Sequence, residues 1–181
     1  MRFFVGVIAL NLMICAAAFG KSWPSSGNFD VAEFESGCFL NATYEGRGET
    51  ELSLMLGFDG DNFITVENAL WSAEEDKIYS DIAFEFQMRS YTGGTVLGIK
   101  ANFKSGFGAK ASAAFLDDFS KSSYLHIMKD GETIDHLSLK GSALALQTAR
   151  ACLRDWKARV QAEQKKRQRL EDLSDDPFAK K

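Results

Sequence analysis

The stretch YLHIMKDGETIDHLSLKGSALALQTARACLRDWKARV, Tyr124 to Val160, decides the fold. Tyr124 to Met128 and Glu132 to Leu139 flank Asp130-Gly131, a pair suited to the positive backbone angles of a two-residue hairpin turn. The second arm breaks alternation between Ile134 and Leu137, so both side chains cannot face one core in a regular strand. A bulge near Asp135 or His136 would restore the parity. Gly141-Ser142 then ends the sheet, with Ser142 placed to N-cap a helix. Leu146, Ala149, Cys152, Leu153, Trp156 and Val160 recur at helical spacing and form one apolar stripe that can pack on a sheet. A hairpin leading straight into an amphipathic helix predicts an α+β fold: an antiparallel β-sheet or small β-sandwich, with a short helix and this long C-terminal helix packed on it.

Working back toward the N-terminus, Ile78, Ser80, Ile82, Phe84, Phe86 and Met88 alternate with Tyr79, Asp81, Ala83, Glu85 and Gln87, the pattern of one long antiparallel strand with a solvated side. Gly93-Gly94 turns the chain into Val96 to Phe103, where Leu97, Ile99, Ala101 and Phe103 are expected to face inward. Phe115, Leu116 and Phe119 predict a short helix from Ala111 to Ser120. Further back, Cys38 to Tyr44 forms a first strand. Leu52, Leu54, Leu56 and Phe58 share one face of the next, and Asp59-Gly60-Asp61-Asn62 is a tight turn into Phe63 to Val66. The acidic residues of that turn do not continue as a calcium loop, whose twelfth position would be Leu70 where a carboxylate is required.

Residues 1–20 read as a secretory signal peptide: Met1 and Arg2, an apolar run from Phe3 interrupted only by Asn11, and small residues up to Gly20, with cleavage after Ala18 or Gly20. The run is shorter than the roughly 20 apolar residues of a membrane span, and no later one is longer. Leu12 precedes Cys15 as in bacterial lipoprotein signals, but Ile14 is too large for that pattern. Residues 21–35 read as a flexible leader, 36–160 as a single β-rich domain with its C-terminal helix, and 161–181 as a charged, partly disordered tail. A net charge of −4 with 45% hydrophobic residues describes a globular chain with no nucleic-acid partner expected. Removal of Cys15 with the signal leaves Cys38 and Cys152, an even pair in an oxidising compartment, and predicts a disulfide between them.

Chemistry is sparsely signalled. His126 and His136 lie nearly equidistant from the Asp130-Gly131 turn, so two imidazoles and Asp135 could approach a metal across the strands. Metal sites normally take three or four ligands and no cysteine is free, so surface histidines are the default reading. Glu74-Glu75-Asp76 and Asp117-Asp118 read as solvated acidic faces. No nucleophile elbow, phosphate-binding glycine loop or other cofactor motif is present. Trp71, Tyr79 and Tyr91 are the candidates for an interaction surface.

At the junction from His136 through Gly141-Ser142 to Leu146, a last strand enters a Gly-Ser turn and an alanine-rich helix. Together with the signal peptide, Cys38 and the charged tail, this resembles small exported bacterial proteins of the invasion-associated locus B type. The likeness covers the layout from Cys38 onward and individual residues only at the junction. That family usually carries more than one cysteine pair, whereas here only Cys38 and Cys152 remain. Leu139, Gly141 and Cys152 also resemble a strand, glycine and helix arrangement in accessory envelope proteins of bacterial secretion systems. Neither resemblance brings catalytic residues. Both imply a periplasmic or secreted, non-enzymatic protein that acts through a protein partner, with no membrane span after signal cleavage. Two other readings stand beside it: a small hydrolase or metal-dependent enzyme using His126 and His136, and a carrier whose Ile78 to Met88 face lines an apolar cavity.

Overall fold

A computed structural model describes residues 23–34, 37–92, 94–101 and 103–172; the signal peptide expected over 1–20 lies outside them. The chain runs β1 (Asp30–Phe34), β2 (Gly37–Tyr44), β3 (Thr50–Gly57), β4 (Asn62–Asn68), β5 (Ile78–Tyr79), β6 (Ile82–Glu85), β7 (Ser90–Tyr91), β8 (Val96–Ala101) and β9 (Lys104–Lys110). Then come α1 (Ala113–Lys121), β10 (Tyr124–Lys129), β11 (Glu132–Ser138) and α2 (Ser142–Asp172). Two antiparallel sheets result, one of seven strands in the order β1-β2-β3-β4-β9-β8-β5 and one of four in the order β11-β10-β6-β7. The fold is therefore α+β, with a short helix and a long C-terminal one.

Period-two burial builds the core. Leu40, Leu52, Leu54, Ile64 and Val66 on the large sheet merge with Leu125, Ile127 and Leu137 on the small one, Phe115 and Phe119 of α1, and Leu146 and Ala149 of α2. Cys152 continues the stripe of α2 and joins Cys38 on β2 in a disulfide, with Cα atoms 6.2 Å apart and a sequence separation of 114. Trp156 carries the stripe one turn further, its ring 5.2 Å from that of Phe58. Beyond Val160 the helix continues with every residue from 161 to 170 exposed, as expected where the apolar stripe stops.

Four expectations change. Ile78 to Met88 is not one strand: a bend at Ser80-Asp81 separates β5, which pairs with β8 in the large sheet, from β6, which pairs with β10 in the small one. Ile82, Phe84 and Phe86 are buried, while Ile78 and Met88 are 67% and 90% exposed, because a segment that changes sheets cannot keep one face inward throughout. Phe84 and Phe86 stack edge-on against Phe115, so this face is packed core and does not line a carrier's cavity.

In β8 the inward residues are Val96 and Gly98, with Leu97 and Ile99 facing out. The loop before β5 lies against Gly98, whose backbone bonds Asp76 and Lys77, and a Cβ there would sit 1.9 Å from the Glu74 carbonyl oxygen. Backbone packing selected the parity of this strand, overriding the larger side chains on its other face.

Residues 23–34 of the expected leader belong to the fold. Phe29 is fully buried with its ring 5.6 Å from Phe119, and β1 forms the edge of the large sheet. Gly27 and Gly141 pass so closely that a Cβ on Gly27 would meet the Lys140 carbonyl oxygen at 2.1 Å. Finally, Ser142 is the first residue of α2, and its hydroxyl donates to the Phe119 carbonyl instead of capping the helix. The true side-chain cap is at α1, where Ser112 accepts from the Phe115 N–H.

Candidate functional site

The β10–β11 hairpin controls the surface chemistry. Asp130 and Gly131 take φ values of 53° and 82°, as a two-residue hairpin turn requires. Its ladder shifts register between Ile127 and Met128, paired with Asp135 and Thr133, and leaves Ile134 as the extra residue. The expected bulge is thus present, one residue before Asp135. It aims Ile134 outward beside the ends of β3 and β4.

There an open cleft of about 520 Å³ forms between the two sheets, lined by Tyr44, Arg47, Thr50, Asn68, Leu70, Trp71, Ile134 and Asp135 among others. It continues past Leu70, Trp71 and Ile134 into a smaller recess of about 250 Å³ reaching Tyr79, Phe107 and Lys129. Trp71 and Tyr79 flank Phe107, with ring centroids 5.6 and 5.1 Å from it. The Tyr79 hydroxyl accepts from the Glu74 N–H at 2.9 Å, so its ring is held from both ends. Leu70 is 59% exposed at the mouth.

The floor is polar and internally bonded. Asn68, which is buried, donates to the Arg47 carbonyl at 3.0 Å and to Thr50 Oγ1 at 2.8 Å, and accepts from the Leu70 N–H at 2.8 Å. Thr50 Oγ1 in turn donates to Asp135 Oδ2, and Asp135 Oδ1 accepts from the His136 N–H at 2.7 Å. Tyr44 closes the wall by donating to the Ser138 carbonyl at 2.8 Å. Burial, reinforced by the nearby Asp135 charge, pushes the Tyr44 phenol well above the ordinary tyrosine range, so it remains a neutral donor. Hydrogen bonds from the Lys129 ammonium to Asp130 and Asp81 hold that group above the ordinary lysine range.

The candidate residues therefore separate. Trp71 and Tyr79 share the cleft. Tyr91 does not reach it: on β7 it packs against Phe86 and Phe115 and donates to Asp118 Oδ2 at 2.6 Å, tying the small sheet to α1. His126 and His136 are directly opposite across the hairpin, their rings stacked with centroids 4.4 Å apart. Asp135 cannot join them as a metal ligand, because adjacent strand residues face opposite ways and its carboxylate is in the cleft on Thr50. The hydrolase reading expects both rings to come close and to line a pocket with a carboxylate; the rings do come close, but of the two only His136 lines the cleft with Asp135.

Thr50, Asn68, Leu70 and Ile134 were not singled out from the sequence. Only Ile134 carried a signal, the parity break that placed a bulge nearby. Compared with known proteins, the chain matches no family model, no curated protein and no solved structure. Among the described residues no helix is long and apolar enough to cross a membrane.

Proposed function

We propose that this chain is an exported, non-enzymatic protein of the periplasm or the cell exterior, and that it acts by gripping a protein partner in the Trp71 cleft. The observation that carries this reading is the make-up of the cleft: exposed Leu70 and Ile134 and half-buried Trp71 surround polar groups already committed to one another. Rigid aromatic and aliphatic groups over a prearranged polar floor suit recognition, since little side-chain freedom is lost on docking. A catalytic acid or base must change its proton during turnover, whereas Asp135 and Tyr44 are engaged in fixed internal bonds. The Cys38–Cys152 disulfide supports export. The junction resemblance to invasion-associated locus B type proteins points the same way.

A photo-crosslinking residue in place of Leu70, with one in place of Lys166 on the exposed end of α2 as control, tests the reading in the native envelope and secreted fractions. A discrete adduct from the Leu70 position that disappears with Trp71→Ala is expected. No adduct from either position, or the same adducts from both, would overturn it.

A further inference from the structure

The two histidines of this chain are its only ones, and the fold sets them against each other. Leu125, Ile127 and Leu137 are buried on the inner face of the hairpin, which anchors both strands and turns His126 and His136 onto its outer face. The rings are nearly parallel, at 21° with centroids 4.4 Å apart. Tyr124 meets His136 edge-on at 4.4 Å from the same face, and Glu85 of β6 stands opposite His126 on the other side.

We propose that His126 and His136 form a two-histidine chelate for a late first-row divalent cation, taken up in the order copper(II) before nickel(II) and zinc(II). Metal–imidazole bonds near 2 Å place two adjacent donor nitrogens about 3 Å apart. The rings stack face to face, with in-plane lone pairs nearly parallel, so half-buried His126 and exposed His136 must each turn about their side-chain torsions to bring one nitrogen apiece onto a shared ion, a reach that their directly opposed positions on the two strands allow. Solvent supplies the remaining positions, because among the described residues no group of three or more histidine, cysteine, aspartate or glutamate side chains gathers around an ion-sized site. An open site with imidazole donors selects by intrinsic affinity, which gives the stated metal order. The second imidazole binds intramolecularly once the first has bound, so the pair holds the ion far better than either ring alone. The chelate also clamps β10 to β11, linking metal binding to the stability of the hairpin. His136 also lines the Trp71 cleft, but the pairing of the two rings does not depend on the reading given for that cleft.

The test uses the mature, disulfide-bonded protein at about pH 7.5, where free imidazole is largely neutral. Copper(II) chloride is titrated into the wild type, His126→Asn, His136→Asn and the double variant, with the fold of each checked by circular dichroism. One copper per chain is expected, with an electron paramagnetic resonance spectrum showing two nitrogen ligands. Each single variant should bind on the order of tenfold more weakly or worse. Nickel(II) should raise the melting temperature of the wild type and leave the variants unmoved. Equal copper affinity in the wild type and the double variant would overturn the proposal. So would a wild-type spectrum with fewer than two nitrogens, which needs no variant at all.

Discussion

Replacing both cysteines, as Cys38→Ala with Cys152→Ala, should cost this protein a large part of its stability. The bond closes a sequence separation of 114 residues. In the chain-entropy account, a loop of that length restricts the unfolded chain by about 5 kcal/mol. Domains of this kind are stable by only about 5 to 15 kcal/mol, so the loss is a large fraction of the total. Both side chains are fully buried between β2 and α2, and alanine fits there without adding a polar group, which keeps the cost mainly one of lost cross-linking. Urea denaturation followed by tryptophan fluorescence should show the midpoint falling. The denaturant slope should rise as well, because the unfolded chain without the link exposes more surface. A stability loss below about 1 kcal/mol would refute the reasoning, since even a strongly compact unfolded state should feel a loop this long. Two reactive thiols in the native, unreduced protein would refute its premise.

Phe29→Ala tests whether the chain before β1 belongs to the core. The ring is fully buried against Phe119, and its removal should cost about 3 to 5 kcal/mol in a thermal or chemical melt. Asn68→Ala should destabilise by about 2 kcal/mol, as it strips the buried Thr50 hydroxyl and the Arg47 carbonyl of a donor. Two glycines should respond differently to alanine. Gly131, at φ 82° in open space, should lose about 1 kcal/mol through backbone strain alone, while Gly106 should lose clearly more, because a Cβ there would lie 1.9 Å from the Val66 carbonyl oxygen. For pH, the folded Tyr44 phenol is raised, so its contribution is complete below the unfolded value of about 10 and is lost as pH climbs toward the folded one. Alkaline melting curves should therefore be steeper for the wild type than for Tyr44→Phe.

Much of the architecture was legible in short-range patterns. The Asp130-Gly131 turn, the strands on either side, the stripe of α2 and the helix around Phe115 depend on local backbone preference and on periodicity, which neighbouring residues express directly. The disulfide was readable too, since only two cysteines remain beyond the expected signal peptide and the cores of small exported domains favour their pairing. Where alternation misled, a distant element was responsible. The Ile78 to Met88 pattern is a good strand pattern that happens to span two sheets, and the bend at Ser80-Asp81 becomes visible only when β8 and β10 claim opposite halves. In β8 the inward face carries Gly98 because the backbone of the 74–77 loop occupies the space, a steric fact no hydropathy pattern contains.

The same division runs through the candidate sites. The chain alone names Trp71, Tyr79, Tyr91, His126, His136 and Asp135 as candidates and places the two histidines near one another across a turn. Tertiary packing decided the rest. Pairing of β10 with β11 stacked the imidazoles, and the bulge at Ile134 turned Asp135 into the cleft and away from them. The cleft assembles Thr50, Asn68, Trp71 and Asp135 from strands and loops far apart in sequence. Hydrogen-bond complementarity between such residues has no local signature, because each partner is an ordinary surface residue until the fold removes it from water.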